Sequence, residues 1–100
     1  MTRADRRRIL VCYDVADDRR RTRLAKTLES FGDRVQYSVF VVDGTPAALN
    51  RMKRAVENVA DLSHDSVLFC DLGSVATVEP SRFVYLGRPK SITGPESFIL

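Results

Sequence analysis

The sequence predicts a small α+β protein in which two helices pack on one face of a single sheet. Two observations support this prediction. The elements follow the order strand, helix, strand, helix and then strands, and the first strand, ILVCYDV at residues 9–15, leads directly into a helical pattern. One hundred residues, of which 44% are hydrophobic and 29% charged, suffice for one domain with a modest core. We therefore expect residues 1–100 to form a single domain.

The first predicted strand, Ile9–Val15, has two largely apolar faces. Because side chains alternate along a strand, one face carries Ile9, Val11, Tyr13 and Val15, and the other carries Leu10, Cys12 and Asp14. We expect helices to cover one face and a second subunit to cover the other. A carboxylate in such surroundings is costly unless it is paired, hydrogen-bonded or bound to a metal ion. Asp14 is therefore the first candidate site residue.

A helix is predicted directly after this strand. Asp17 or Asp18 can cap its N-terminus, and it should run to about Phe31, with Gly32 as its C-terminal stop. The residues spaced to form its buried stripe are Leu24, Leu28 and Phe31.

Arginines crowd the first turns of this helix, where the helix dipole already places partial positive charge. Ten of the sixteen Lys and Arg residues lie between Arg3 and Arg34, and the net charge is +3. This pattern favours a surface that binds the phosphates of a nucleic acid. Its candidate residues are Arg20, Arg21, Arg23 and Arg34. The alternative is a solvated face that neighbouring acidic residues partly neutralise.

β-Branched and aromatic side chains predict a strand at Arg34–Val42, as one long bent strand or as two short ones. Asp43-Gly44 is expected to make the turn that follows. Thr45 then provides an N-cap, with Pro46 at the first position of a second helix that runs to about Val59. The inward-facing residues of this helix are Leu49, Met52, Val56 and Val59.

Two further strand patterns, Ser66–Leu72 and Arg82–Leu86, follow a polar loop at residues 61–65. The connection between them has room for a short helical turn. Residues 90–100 are predicted to form a linker and a terminal strand that ends on Phe98, Ile99 and Leu100. Three large apolar residues at a terminus need a surface, which is either this chain's own sheet edge or the sheet of a second subunit.

This order of elements predicts a ferredoxin-like two-layer sandwich with two helices on one face of a four- to five-stranded sheet. Two subunits would then press their uncovered sheet faces together as a homodimer. The charged leader, residues 1–7, lacks the apolar segment of a secretory signal, and no apolar run reaches the length of a membrane helix. A cytoplasmic location without membrane contact is therefore expected. Two cysteines and one histidine are too few for a closed four-ligand zinc site.

Five segments within one run of the chain, which takes up roughly a third of it, carry a resemblance to a known family. They are Tyr13-Asp14-Val15, Asp17-Asp18, the arginine-rich segment Arg20–Ala25, Leu28–Gly32 and Arg34–Phe40. Together they resemble the CRISPR-associated Cas two family. The block Gln36-Tyr37-Ser38-Val39-Phe40, at this distance after a Tyr-Asp strand end, is the most specific part. The charged leader departs from the family pattern, and after Leu72 the resemblance is loose.

The resemblance implies a ferredoxin-like homodimer in which the C-terminal strand adds to the partner's sheet. It implies action in the acquisition of CRISPR spacers with the Cas one integrase and, for many members, metal-dependent cleavage of RNA or duplex DNA. The metal would be magnesium, with manganese as the alternative, and Asp14 would hold it. The other residues that the resemblance ties to nuclease activity are Tyr13, Arg21, Arg23, Arg34 and Phe40. Gln36 and Ser38 would line the same cleft or interface as Phe40.

The residues themselves give this chemistry partial support. Magnesium is usually held by one or two carboxylates together with waters and phosphate oxygens, and one Asp14 per chain supplies only one. Two copies related by a twofold axis would supply the second. No general base is evident, because His64 is far in sequence from the motif block. A basic dimer that grips duplex DNA as a non-catalytic scaffold for the integrase is therefore an alternative, and a toxin-like ribonuclease is another.

Overall fold

In a computed structural model of the chain, which describes residues 5–88, two helices pack on a four-stranded antiparallel sheet. The strands are β1 (Arg7–Asp14), β2 (Asp33–Gln36), β3 (Val39–Gly44) and β4 (Ser66–Ser74), and the helices are α1 (Asp18–Glu29) and α2 (Pro46–Val59). The strand order in the sheet is β2-β3-β1-β4, so the first strand of the chain lies inside the sheet. The predicted α+β sandwich with two helices and four strands is confirmed.

Strand β1 sits at the centre of the core. Ile9, Val11 and Tyr13 are buried under the helices, whereas Leu10 and Cys12 on the opposite face are only partly buried. The predicted division of the strand into two faces is therefore confirmed. Strand β1 begins two residues earlier than predicted and ends at Asp14 instead of Val15.

The two helix N-termini follow the predicted capping chemistry. The Asp17 carboxylate accepts a hydrogen bond from the backbone N–H of Arg20 at 2.8 Å. The Thr45 hydroxyl accepts one from the N–H of Ala48 at 3.2 Å, and Pro46 is the first residue of α2. Helix α2 ends at Val59 as predicted, whereas α1 ends two residues before Phe31.

Gly32 was predicted to end α1, and the structure corrects this. The helix ends at Glu29 with Ser30 as a right-handed cap, and Gly32 is not among the described glycines with positive φ. Instead, a Cβ at Gly32 would lie 2.3 Å from the carbonyl oxygen of Val41 and 2.9 Å from the Cα of Val42. Glycine is required here because the α1–β2 connection lies against the backbone of β3.

The segment predicted at Arg34–Val42 forms two strands, β2 and β3, joined by a turn at Tyr37-Ser38. The turn predicted at Asp43-Gly44 is wrong, because both residues belong to β3 and pair with β1. The Asp43 carboxylate accepts two hydrogen bonds, at 2.7 and 2.8 Å, from the guanidinium of Arg8, whose side chain is only 3% exposed. This partnership holds the end of β3 in the sheet.

The strand predicted at Arg82–Leu86 is also wrong. A short 3₁₀ turn at Pro80–Arg82 is followed by irregular chain. Phe83 and Tyr85 pack against Val35 and Val41 on the sheet face opposite the helices. Because these two aromatic side chains pack on that face, residues 83–85 lie against it and do not add a strand to a sheet edge.

The sheet face that carries Leu10 and Cys12, called the open face below, has no helix on it among residues 5–88. The leader before Asp5 and the terminal strand predicted at residues 90–100 lie outside the described residues. Within residues 5–88, no helix combines the length and apolar character needed to cross a bilayer.

Candidate metal and nucleic-acid site at the end of the first strand

Asp14 ends β1, opposite Ser66 of β4, and its side chain is exposed. The sequence placed this carboxylate among buried strand residues, so the structure corrects that expectation: water can solvate it. Within residues 5–88, its carboxylate has neither a hydrogen bond nor an ion pair. By contrast, the nearby carboxylates of Asp17 and Asp18 are used within α1. Asp14 is therefore available to an external ligand.

The donor set fits magnesium only in part. A carboxylate oxygen is the ligand type that magnesium prefers. Among residues 5–88, however, no group of three or more His, Cys, Asp or Glu side chains is arranged to hold a metal ion. One chain thus supplies one ligand, and a complete site needs further oxygens from a second copy, from water or from a substrate phosphate.

Tyr13 connects the Asp14 strand end to the β2–β3 turn. Its ring is buried and stacks on Phe40, with ring centroids 6.2 Å apart. Its phenol donates to the carbonyl of Tyr37 at 3.4 Å, and its backbone N–H donates to the carbonyl of Ser38 at 3.1 Å. Burial raises the pKa of the Tyr13 phenol, partly offset by the charge of Arg34. These contacts hold the turn beside Asp14.

Arg34 lies on β2 and contacts the same turn. Its Nε donates to the carbonyl of Tyr37 at 2.9 Å, and its guanidinium lies 5.1 Å from the centroid of the Tyr37 ring and 5.6 Å from that of Phe40. The carboxylate of Glu29 is 3.9 Å away. Phe40 itself is 0% exposed, so it packs beneath Arg34 and does not line a cleft in this chain.

Arg21 holds the loop that follows Asp14. Its Nη1 donates to the carbonyls of Val15 and Ala16 at 2.9 and 3.3 Å, and its Nε donates to the phenol oxygen of Tyr37 at 3.3 Å. It also pairs with Asp18. The hydrogen bond to Asp18, followed by that to Tyr37, raises the pKa of the Arg21 guanidinium. Arg21 therefore joins the β1–α1 loop to the β2–β3 turn.

Arg20 has an ion-pair partner outside its own helix. Its guanidinium donates two hydrogen bonds to the Asp65 carboxylate, at 2.8 and 3.0 Å, and that side chain is only 1% exposed. Asp65 also accepts from the backbone N–H of Asp61. Arg20 thus joins α1 to the start of β4 and is neutralised there. Arg23 is exposed, and within residues 5–88 its side chain has no ion pair.

Gln36 and Ser38 lie at a shallow depression on the open face, with a volume of about 820 Å³. Its floor includes Leu10 and Cys12, and burial raises the pKa of the Cys12 thiol. The two polar residues therefore do lie together beside a surface that a ligand or second subunit could reach.

Tyr37 is a further residue of this site, to which the sequence pattern assigned no role. It is 64% exposed, its carbonyl accepts from Tyr13 and Arg34, and its phenol accepts from Arg21. Its place between Gln36 and Ser38 in the most specific sequence block was the available signal.

Residues 7–77 match the family model described as CRISPR associated protein Cas2. The chain belongs to the Cas2 family. This confirms the Cas two family inferred from the sequence motifs.

Cas2 relatives agree in sequence and in fold. A relative from Rhodospirillum rubrum named "CRISPR-associated endoribonuclease Cas2 4" is 40% identical over 60 residues, which cover 60% of this chain and 48% of the relative. A relative from Synechocystis named "CRISPR-associated endoribonuclease Cas2 3" is 36% identical over 91% of this chain and 96% of its own length. The chain thus spans about half of the first relative and nearly all of the second. The crystal structure of Streptococcus pyogenes Cas2 at pH 6.5 has a TM-score of 0.65 and 33% identity, covering 80% of this chain and 99% of that chain.

Proposed function

We propose that this Cas2 chain acts in CRISPR adaptation as a magnesium-dependent endonuclease that cleaves phosphodiester bonds in RNA or duplex DNA. Asp14 would hold the magnesium, or manganese in its place. The observation that supports this best is the exposed Asp14 carboxylate, which has no partner within residues 5–88 and lies beside the turn held by Arg21 and Arg34. The names of the relatives, endoribonucleases, support the reaction class.

The proposed site lies between two copies of the chain. Asp14 alternates with Leu10 and Cys12, so it belongs to the open face, where apolar side chains are left without a helix. A homodimer formed through this face would bring two Asp14 carboxylates together. Two bare carboxylates repel each other and raise the pKa of one of them, and a divalent cation would remove that repulsion.

The chain's own residues have distinct parts in this proposal. When bound, the metal ion supplies water activation and charge neutralisation at the phosphate. The Asp14 carboxylate would bind the metal ion, and Arg23 contributes an exposed positive charge that attracts the nucleic-acid backbone. Tyr13 fixes the β2–β3 turn. A general base is not evident among residues 5–88: the Nδ1 of His64 lies 3.1 Å from the Asp61 carboxylate in the 61–65 loop. The water's proton would therefore pass to solvent or to the substrate.

One observation favours a second function. One chain offers a single carboxylate at this site, and residues 5–88 contain no cluster of three metal-ligating side chains. The arginines can nevertheless bind a nucleic-acid backbone in a protein that does not cleave it. In that case the dimer would grip duplex DNA by its backbone and hold units of the Cas one integrase apart.

Cleavage by purified protein tests the proposal. Asp14→Asn should lower magnesium-dependent cleavage of RNA or duplex oligonucleotides by more than about a hundredfold. Loss of a residue that only hydrogen-bonds a metal ligand already lowers activity by about 10–100-fold, and loss of the ligand itself should cost at least as much. Glu57→Gln is the matched control, because it removes an exposed carboxylate from α2 and should change nothing. Full activity in Asp14→Asn would contradict the proposal. Spacer acquisition in cells that persists without any cleavage would favour the scaffold.

A further inference from the structure

Tyr37 is the one large aromatic side chain that residues 5–88 expose strongly, at 64%. It lies at the turn between β2 and β3, where the two-residue connection places it outside the core. Single exposed apolar side chains are common on protein surfaces, so exposure alone does not mark a contact. This ring is distinguished by having no apolar neighbour in the core clusters and by the charged groups that hold it.

The ring is held in place by charged groups. The Arg34 guanidinium lies 5.1 Å from its centroid and covers one face, while the Nε of Arg21 donates to its phenol oxygen at 3.3 Å. The backbone of the same residue is fixed by hydrogen bonds from Arg34 and Tyr13 to its carbonyl. A ring fixed on one face and at its tip presents its other face to solvent with little orientational freedom left to lose on binding.

We propose that Tyr37 is a stacking platform for an unpaired nucleobase of the bound nucleic acid. Stacking on an aromatic ring is the sequence-tolerant way in which proteins hold unpaired bases, and every base has a face to offer. The proposal deepens the nuclease function and rests on it only for the position of the cut, not for the binding itself.

Charge and position favour a nucleic acid as the occupant. Arg21 and Arg34 flank the ring, and Arg23 lies two residues beyond Arg21 on α1. Guanidinium groups around an aromatic ring suit a base with phosphates on both sides. A twofold contact centred on Tyr37 would instead set these arginines against their own copies, which like-charge repulsion opposes.

The connection to Asp14 follows from the backbone. The N–H of Tyr13, the residue before Asp14, donates to the carbonyl of Ser38, the residue after Tyr37. A base stacked on Tyr37 therefore leaves its flanking phosphodiesters near the end of β1. This places the bond to be cut within a nucleotide or two of the stacked base.

A fluorescent base analogue tests the stacking directly. Single-stranded oligonucleotides carrying one 2-aminopurine are titrated with Asp14→Asn protein in the absence of metal, so that cleavage does not enter. Stacking should quench the fluorescence at one position of the analogue, and Tyr37→Ala should abolish the quenching and weaken the dissociation constant by about tenfold. Tyr37→Phe should behave as the parent, because it keeps the ring and loses only the contact to Arg21. Tyr37→Leu should behave as Tyr37→Ala, because it keeps apolar bulk without an aromatic face.

Equal quenching and affinity in the parent and in Tyr37→Ala would overturn the proposal, as would the absence of quenching in the parent. Quenching that is unchanged in Tyr37→Ala, together with a changed mass of that variant in sedimentation, would also overturn the proposal. The ring would then be a contact between subunits. If Asp14 is not a metal ligand, Asp14→Asn keeps full cleavage activity, whereas the 2-aminopurine result does not change. Failure of the nuclease proposal can therefore be distinguished from failure of the stacking proposal.

Discussion

Replacing Gly32 by alanine should destabilise the protein by steric conflict alone. The added Cβ would lie 2.3 Å from the Val41 carbonyl oxygen and 2.9 Å from the Val42 Cα, and these backbone atoms cannot rotate away. Gly32 is not among the described glycines with positive φ, so backbone strain does not enter. Overpacking costs about 1–3 kcal/mol, and contacts with backbone place this substitution near 3 kcal/mol. For a domain of this size, that lowers Tm by roughly 12–24 °C.

Thermal unfolding followed by circular dichroism measures this effect, and urea unfolding checks it at constant temperature. Gly44→Ala is the matched control, since its Cβ would meet only side-chain atoms of Leu49 and Ala48, at 3.3 Å and beyond. Its cost should stay below about 1 kcal/mol. A Tm for Gly32→Ala within a few degrees of the parent would refute the close approach of the α1–β2 connection to β3. The close approach at Gly32 would then no longer explain how β2, which carries Arg34, is positioned against β3.

Three other properties follow from the structure and the family. Hydrogen bonds from Ser63 lower the pKa of Asp61 to about 2, so the stability that Asp61 contributes is complete above its unfolded pKa near 3.8 and is lost as the pH falls towards 2; Tm measured from pH 6 to pH 2.5 should fall less steeply in Asp61→Asn. Arg21→Ala with Arg23→Ala should reduce the slope of log binding constant against log salt by about 1–2, and an unchanged slope would make both a solvated face. Deleting residues 98–100 should shift sedimentation towards the monomer, and an unchanged mass would oppose strand exchange.

The parts of the fold that depend on neighbouring residues were predictable from the sequence. The alternation along β1 gave its buried and open faces, and the caps at Asp17 and Thr45 fixed where both helices begin. These signals are local, since a cap reaches three residues and a strand face repeats every two.

The features that the sequence did not predict depend on partners distant in the sequence. Arg20 pairs with Asp65, 45 residues later, and this ion pair could not be predicted from α1 alone. The Gly32 requirement arises from the backbone of β3, not from the helix that it follows. Likewise, residues 82–86 have a strand-like composition, but their aromatic side chains anchor on the open face.

The sequence named the candidate site residues, and their arrangement became visible only in the structure. It expected Asp14 to lie in buried surroundings, whereas the structure exposes its side chain. For Tyr37, the sequence offered only its place in the most specific motif block, which does not reveal its exposure. The structure adds the contact of its phenol with Arg21, which comes from a separate helix.

The stoichiometry of divalent-cation binding tests the central claim most directly, namely that Asp14 of two chains forms one metal site. Manganese, titrated into the protein and followed by the loss of its free-ion paramagnetic resonance signal, should bind at one site per two chains. Asp14→Asn should abolish that site, whereas Glu57→Gln should keep it. Binding at one site per chain, binding that survives Asp14→Asn, or no binding by the parent protein would contradict a shared Asp14 site.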